Sequence, residues 1–308
     1  MPERKSISSS ILLSEFESIK NNNPESIPKR IRDVIDKGDQ ALVIVLGGGG
    51  AKSPQHIGVI AALLEAGVPL DMAVGTSAGA VGAIASKVGS LSELLKTKYL
   101  AERMSWNQIS QLTFLKNGGF VCFDRLSGYI NSHQNDLKDP TKYTPCLIVT
   151  TQISRLRKSA RIFWEESSDL IGKAVQASCS VPFFISYPII KEYYPLVDGG
   201  FIRVNDLPFN IAKLIAPDSL KISVNLSRKP PNINYDGILI SPSLYARNNR
   251  LATAVFDPDD VWLGYKSGNA AIPKIYEEME RRGIERHYRE GFSPDTNLAY
   301  YFSQRILI

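Results

Sequence analysis

Residues 70–82, LDMAVGTSAGAVG, set a serine between two glycines, Gly75-Thr76-Ser77-Ala78-Gly79, after a short apolar run and before a run of small residues. The apolar run predicts a buried strand and the small-residue run a helix. A serine at such a strand-to-helix turn must hold a strained φ/ψ so that its Oγ projects clear of the backbone. Glycines two residues to either side let neighbouring chain pass without a Cβ clash. The helix that follows aims its first N–H groups and positive dipole end at the same point. This is the local grammar of a nucleophile elbow, and it commits the chain to an α/β fold.

A second constraint lies just upstream. Leu42-Val43-Ile44-Val45-Leu46 is wholly apolar and rich in β-branched residues, which predicts a central buried strand. It runs into Gly47-Gly48-Gly49-Gly50-Ala51-Lys52-Ser53, a loop of backbone amides with no side chains to shield them, suited to an anion or oxyanion. A nucleotide-binding P-loop is a rival reading of Gly-Ala-Lys-Ser. Its spacing fails, because Ala51 stands before the lysine and Leu46 where the first glycine belongs. From residue 55 to 66, Ile57, Val59, Ile60, Leu63 and Leu64 recur at helical spacing, with Pro54 at the start and Gly67 at the stop. Strand, glycine loop, helix, strand, elbow, helix is a βαβα order, hence a parallel sheet with both loops at the carboxyl ends of their strands, where such sheets bind ligands.

Composition limits the partners. With 308 residues and 44% apolar content the chain can bury a sizeable core. Its formal net charge of +5 is scattered, which suits solvated surface or attraction to an anionic membrane face. Nucleic-acid binding would need a denser basic face, and none is present. Cys122, Cys146 and Cys179 are an odd number without metal-ligand spacing, and no cysteine is near either glycine motif in the sequence. Free thiols in a reducing, cytoplasmic setting follow, with no metal and no cofactor expected. The first residues do not form the apolar core of a secretion signal, and residues 181–190 are too short and broken to span a bilayer. Any lipid contact is expected to be peripheral.

The loop GGGGAK, then His56-Ile57-Gly58-Val59 on a helix, then Gly-Thr-Ser-Ala-Gly, resembles the patatin-like phospholipase family. Asp198-Gly199-Gly200, which follows the strand-like Pro195-Leu196-Val197, resembles that family's downstream Asp-Gly-Gly, and residues 177–184 resemble the segment leading into it. The likeness covers residues 41–271. The family usually carries glycine after the loop's Arg or Lys, where this chain has Ser53 and Pro54. The resemblance implies a three-layer fold, a mostly parallel sheet flanked by helices. It also implies a Ser77–Asp198 dyad without histidine, Gly48, Gly49 and Gly50 as oxyanion donors with Lys52 supporting their loop, and acyl esters of phospholipids or related lipids as substrate. A catalytically weak lipid-binding or regulatory protein on the same fold is the alternative that Ser53 raises.

Three histidines bear on the base that a serine nucleophile needs. His56 reads as a packing residue on its helix and His133 as surface, while Ser77, Asp198, His287 is the chain order of a Ser-Asp-His hydrolase. Phe183, Phe184, Tyr187, Phe201, Phe114 and Leu115 are candidates to line an acyl slot. Residues 1–40 read as a helical appendage, with Ser10 capping a first helix that carries Phe16 and Ile19 and a second running to Gly38. Its apolar faces must meet the main domain or a protein partner such as an activator. Residues 41–283 form the hydrolase domain, including a helix opened by Asp257-Pro258 and another beginning at Pro273, and residues 284–308 a charged tail.

Overall fold

The computed structural model describes residues 10–113, 116–136, 142–154, 158–164, 168–190, 193, 195–201, 206–227, 236–242 and 256–303. Ten strands lie among them. They are β1 (Ser10–Leu12), β2 (Leu42–Leu46), β3 (Met72–Thr76), β4 (Gln111–Leu112), β5 (Val121–Cys122), β6 (Cys146–Ile153), β7 (Lys158–Trp164), β8 (Leu196–Asp198), β9 (Leu220–Val224) and β10 (Ile238–Ile240). Eight form one sheet in the order β1-β7-β6-β3-β2-β9-β10, with β8 also on β6, while β4 and β5 pair separately. The run β6-β3-β2-β9-β10 is parallel. β7, β1 and β8 are antiparallel to their neighbours.

Alternation along β2 divides the interior into two cores. Leu42, Ile44 and Leu46 pack with Ile57, Ile60 and Leu63 of the Pro54–Glu65 helix on one face. Val43 and Val45 meet Phe16, Ile27, Ile31 and Val34 with Phe209 and Ile211 on the other. Both faces of the central strands are therefore covered, as a parallel sheet requires, and helix, sheet and helix make three layers. No helix among the described residues is long and apolar enough to cross a membrane.

Two local expectations are overturned. Ser10 does not cap a helix: residues 10–12 pair with Phe163, Ile162 and Arg161 of β7, and the Arg161 guanidinium donates to Ser10 Oγ at 3.0 Å. β7 would otherwise present unpaired N–H and C=O groups at the sheet edge, and covering them outweighs weak local helical preference. The helix begins only at Phe16 and ends at Asn22. Likewise Pro273 starts no new helix but lies inside the continuous Asp260–Arg282 helix. A proline in a helix interior costs about 3 kcal/mol, and packing along the Pro54–Glu65 helix offsets it.

That packing depends on missing side chains. A Cβ on Gly58 would run into the Val261 carbonyl oxygen, and one on Gly264 into the Gln55 carbonyl oxygen. The backbones touch there, so an added methyl has to separate two helices rather than rotate away. Gly58→Ala is expected to lose about 1–3 kcal/mol of stability, seen as a lower urea midpoint at unchanged slope. An unchanged midpoint would show that the contact is looser than described.

Candidate active site

β6 organises the site along a single edge. β3 runs beside it from Ala73 opposite Cys146 to Thr76 opposite Val149. There β3 ends and the chain turns away at Ser77. β8 comes from the other direction on β6 and stops with Asp198 opposite Thr150, the next residue along. Consecutive positions of one strand thus hold the ends of two others, and Ser77 and Asp198 meet where those ends abut.

Ser77 holds φ 54° and ψ −121°, a positive φ outside the regions that L-residues favour, costing on the order of 1–3 kcal/mol. Its neighbours enforce this conformation. A Cβ on Gly75 would strike the Gly79 carbonyl oxygen, and one on Gly79 the Leu46 carbonyl oxygen. The Ser77 N–H donates to Ser178 Oγ at 2.8 Å, and that hydroxyl donates in turn to the Val149 carbonyl at 2.6 Å. The Cys179 thiol donates to the Ser77 carbonyl at 3.3 Å. A cysteine therefore lies directly against the elbow, contrary to the distance in sequence, and burial pushes its thiol well above the ordinary range. Ser178 and Cys179 lie in the stretch 177–184 that resembles the family's segment before the aspartate, but their contacts with the elbow follow only from the docking of the Ser168–Ser178 helix.

Asp198 is buried. Its N–H donates to the Ser180 carbonyl at 2.9 Å and its Oδ1 accepts the Gly200 N–H at 2.8 Å. Oδ2 is buried without a hydrogen-bond partner. Burial raises the carboxyl pKa from 3.8 to about 6, against the lowering effect of the Ser77 hydroxyl and the Gly200 N–H, with the Asp206 charge adding to the rise. The Ser77 hydroxyl is thus near enough to bias the titration, yet no full hydrogen bond joins it to Oδ2. Such contacts are commonly loose before substrate arrives.

The glycine loop lies opposite. The Gly47 N–H is taken by the Val224 carbonyl and the Gly48 N–H by the Asp206 carbonyl at 2.8 Å. The first N–H groups without an acceptor among the described residues are those of Gly49 and Gly50. Gly50 has φ +61°, which favours glycine, whereas Ser53 has an ordinary helical φ of −47°, so its Cβ brings no strain. Lys52 is buried and donates to the Leu226 carbonyl at 3.2 Å. Asp206 also brings a second carboxyl: a Cβ on Gly48 would lie 2.5 Å from its Oδ1.

The histidines divide clearly. His56 is fully buried and its Nε2–H donates to the Gly47 carbonyl at 2.8 Å, with burial lowering its pKa to about 4, so it is neutral and holds the loop from below. His287 donates its backbone N–H to the Gly67 carbonyl and shares a cavity with Leu70 and Asp71, before the start of β3. Ser77 is at the other end of that strand, on the order of 15–20 Å away. This overturns the Ser-Asp-His alternative. The His133 side chain, Phe114 and Leu115 lie outside the described residues. Phe183 and Phe184 line no slot, being 79% and 70% exposed.

A family model described as Patatin-like phospholipase matches residues 44–213, more than half of the chain. The chain belongs to the patatin-like phospholipase family. It is 32% identical over 226 residues to patatin-like phospholipase domain-containing protein 7 of Mus musculus, a match covering 70% of this chain and 16% of that protein. It is 32% identical over 167 residues to lysophospholipase nte1 of Emericella nidulans, covering 53% and 10%. The chain thus spans a sixth or less of the length of these relatives. VipD from Legionella pneumophila aligns over 77% of this chain and 67% of its own, at 13% identity and a TM-score of 0.41.

The patatin-like site places a carboxyl where its charge is disfavoured. Because the folded pKa lies above the ordinary one, folding stability falls as pH rises from about 4 through 6 and stays lower above it. Asp198→Asn is therefore expected to raise Tm at pH 8, by a gain of up to about 3 kcal/mol, and to leave it unchanged near pH 3.5. A variant less stable than wild type at pH 8 would show that the ionised carboxylate is supported rather than strained.

Proposed function

We propose that this patatin-like chain is a serine acyl hydrolase that cleaves fatty-acyl esters of phospholipids or related lipids, with Ser77 as nucleophile and Asp198 as base. The single observation that supports this best is the unpartnered, buried Oδ2 of Asp198 beside the strained Ser77. An acceptor with no other partner, in a low-dielectric setting that lifts its pKa to about 6, is matched to taking a hydroxyl proton near neutral pH. Names among the relatives, a lysophospholipase and phospholipase-domain proteins, support lipid esters as the substrate class.

In the proposed reaction Asp198 takes the Ser77 proton as Oγ attacks the ester carbonyl. The Gly49 and Gly50 N–H groups stabilise the oxyanion, while the Gly48 N–H is occupied by Asp206 and acts through loop shape. Lys52 and His56 fix the loop from beneath by binding the Leu226 and Gly47 carbonyls. Collapse of the intermediate returns the proton from Asp198 to the leaving alcohol. A water activated by the same carboxylate then releases the fatty acid and frees Ser77.

Ser77→Ala and Asp198→Ala should each reduce hydrolysis of a short-chain p-nitrophenyl ester by about 10³-fold or more. The double variant should be no worse than either single, since the pair acts as a unit. kcat/KM should fall as pH drops through about 6, where Asp198 gains its proton. An Asp198→Ala protein with more than about a tenth of wild-type activity would end the dyad reading. His287→Ala should stay within about threefold of wild type, and a loss of about 10² or more would restore a histidine base despite its position.

A further inference from the structure

Residues 181–189 and the β4–β5 hairpin form one knob. The Phe120 and Val121 N–H groups donate to the Phe184 carbonyl, the Ser186 N–H donates to the Val121 carbonyl, and the Tyr187 N–H donates to the Asn117 carbonyl. Thr113 Oγ1 and Ser186 Oγ are 2.8 Å apart, and a Cβ on Gly119 would run into the Ser186 backbone. This tightly bonded pair of segments turns its large apolar side chains outward: Leu112 is 72% exposed, Phe120 54% and Ile189 54%, beside Val181, Phe183 and Phe184. Phe183 holds φ +71°, a strained value for a residue with a Cβ. A soluble surface gains nothing from strain that drives a phenyl ring into water.

The knob is continuous with the candidate active site. Ser178, Cys179 and Ser180 bind the Ser77 N–H, the Ser77 carbonyl and the Asp198 N–H, and the exposed run begins at the next residue, Val181. Its own charge is sparse. Residues 111–122 and 181–190 contain Lys116 and no other charged residue, and the carboxylate that flanks the hairpin, Asp124, accepts from Gln111 Nε2 at 3.3 Å and from the Cys122 thiol at 3.2 Å. An apolar face with almost no charge of its own, continuous with the Ser77 site, complements the apolar interior of a bilayer.

We propose that this knob is the docking face for a lipid bilayer, with Phe183 and Phe184 inserted below the headgroups and the mouth of the Ser77 site brought against the membrane. The proposal rests on the acyl-hydrolase reading for its choice of a lipid partner, and assigns to it the surface that reaches lipid. Docking here would let an ester enter the site from the bilayer without crossing water.

The test uses the full chain carrying Ser77→Ala, so that vesicles stay intact, in co-sedimentation with phosphatidylcholine vesicles made with and without phosphatidylserine. Binding is expected with both compositions and should persist in high salt, because buried apolar side chains carry it. Phe183→Ser/Phe184→Ser should lower the partition by about tenfold or more, and Leu112→Ser/Phe120→Ser, on the partner segment, should lower it as well. Tyr300→Ser/Tyr301→Ser removes exposed aromatics from the helix that begins at Leu298, whose N–H is held by Glu65 at the far end of the Pro54–Glu65 helix. It should change nothing. With Ser77 restored, the Phe183/Phe184 variant should turn over a soluble short-chain ester within about twofold of wild type. Vesicle binding unaffected by either knob variant, or lost equally in the Tyr300/Tyr301 variant, would overturn the proposal. So would a lipid-free dimer in sedimentation velocity that the knob variants dissociate, since the face would then join two copies. Wild-type protein that binds vesicles through the knob but hydrolyses no ester would leave the docking face standing and remove the hydrolase reading.

Discussion

Everything at the candidate site depends on β6 having one edge long enough for two strands. β3 uses it as far as Val149 and β8 uses it from Thr150, in opposite directions. Backbone hydrogen bonding sets strand spacing and register within tenths of an ångström, so the meeting point of the two chain ends is held by ladders, not by side-chain contacts between the two residues. This is why Ser77 and Asp198 can remain without a direct hydrogen bond and still be positioned. A third anchor follows from the same edge: Ser178 Oγ joins the Ser77 N–H to the Val149 carbonyl, tying the elbow to the residue where β3 ends.

The site is maintained against local free energy. Ser77 pays backbone strain, and Asp198 pays desolvation whenever it is ionised. Neither cost could persist on a mobile loop, because the chain would relax to an ordinary φ and the carboxylate would turn to water. The compensation is rigid contact. Gly75, Gly79 and Leu46 touch backbone to backbone beneath the elbow, and relaxing Ser77 would force β3 and its helix apart. Strain at Ser77 and close glycine contacts are thus two aspects of one arrangement.

How far the sequence could be read follows the range of each interaction. The elbow, the β2 strand and the helix from Pro54 were legible because strand composition, paired glycines and an N-terminal proline act within a few residues. The Ser10 strand is not legible locally, because its pairing lies about 150 residues away in β7 and nothing nearby announces an edge that needs covering. The helix through Pro273 is hidden for a similar reason: the contacts that carry it are on another helix. At the site, Asp198 could be found from its Asp-Gly-Gly, but not its register against Thr150. The loss of the Gly48 N–H to Asp206 was invisible, because four consecutive glycines look alike until a tertiary acceptor selects among them.

The glycine loop also depends on chain beyond the matched family region. The Asp260–Arg282 helix lies outside residues 44–213, yet its first residue accepts a hydrogen bond from Gln55 Nε2 at 2.5 Å. Burial lifts the Asp260 pKa to about 6, against the lowering effect of the Gln55 hydrogen bond, with the Asp257 charge adding to the rise. Lys52 in turn donates to the Leu226 carbonyl, and a Cβ on Gly49 would lie 2.6 Å from Leu226 Cβ. Lys52 and Gly49 therefore both meet Leu226, beside the first N–H of the loop that has no acceptor among the described residues. Truncating the chain after the matched region would remove β9 from beside β2, take the Val224 and Leu226 carbonyls from Gly47 and Lys52, and expose the Gly58 face of the Pro54–Glu65 helix. Because buried polar groups that lose their partners are costly, the loop would be expected to rearrange. The glycine loop is thus held by β9, by the residues just after it and by the Asp260–Arg282 helix, all of them outside the matched region.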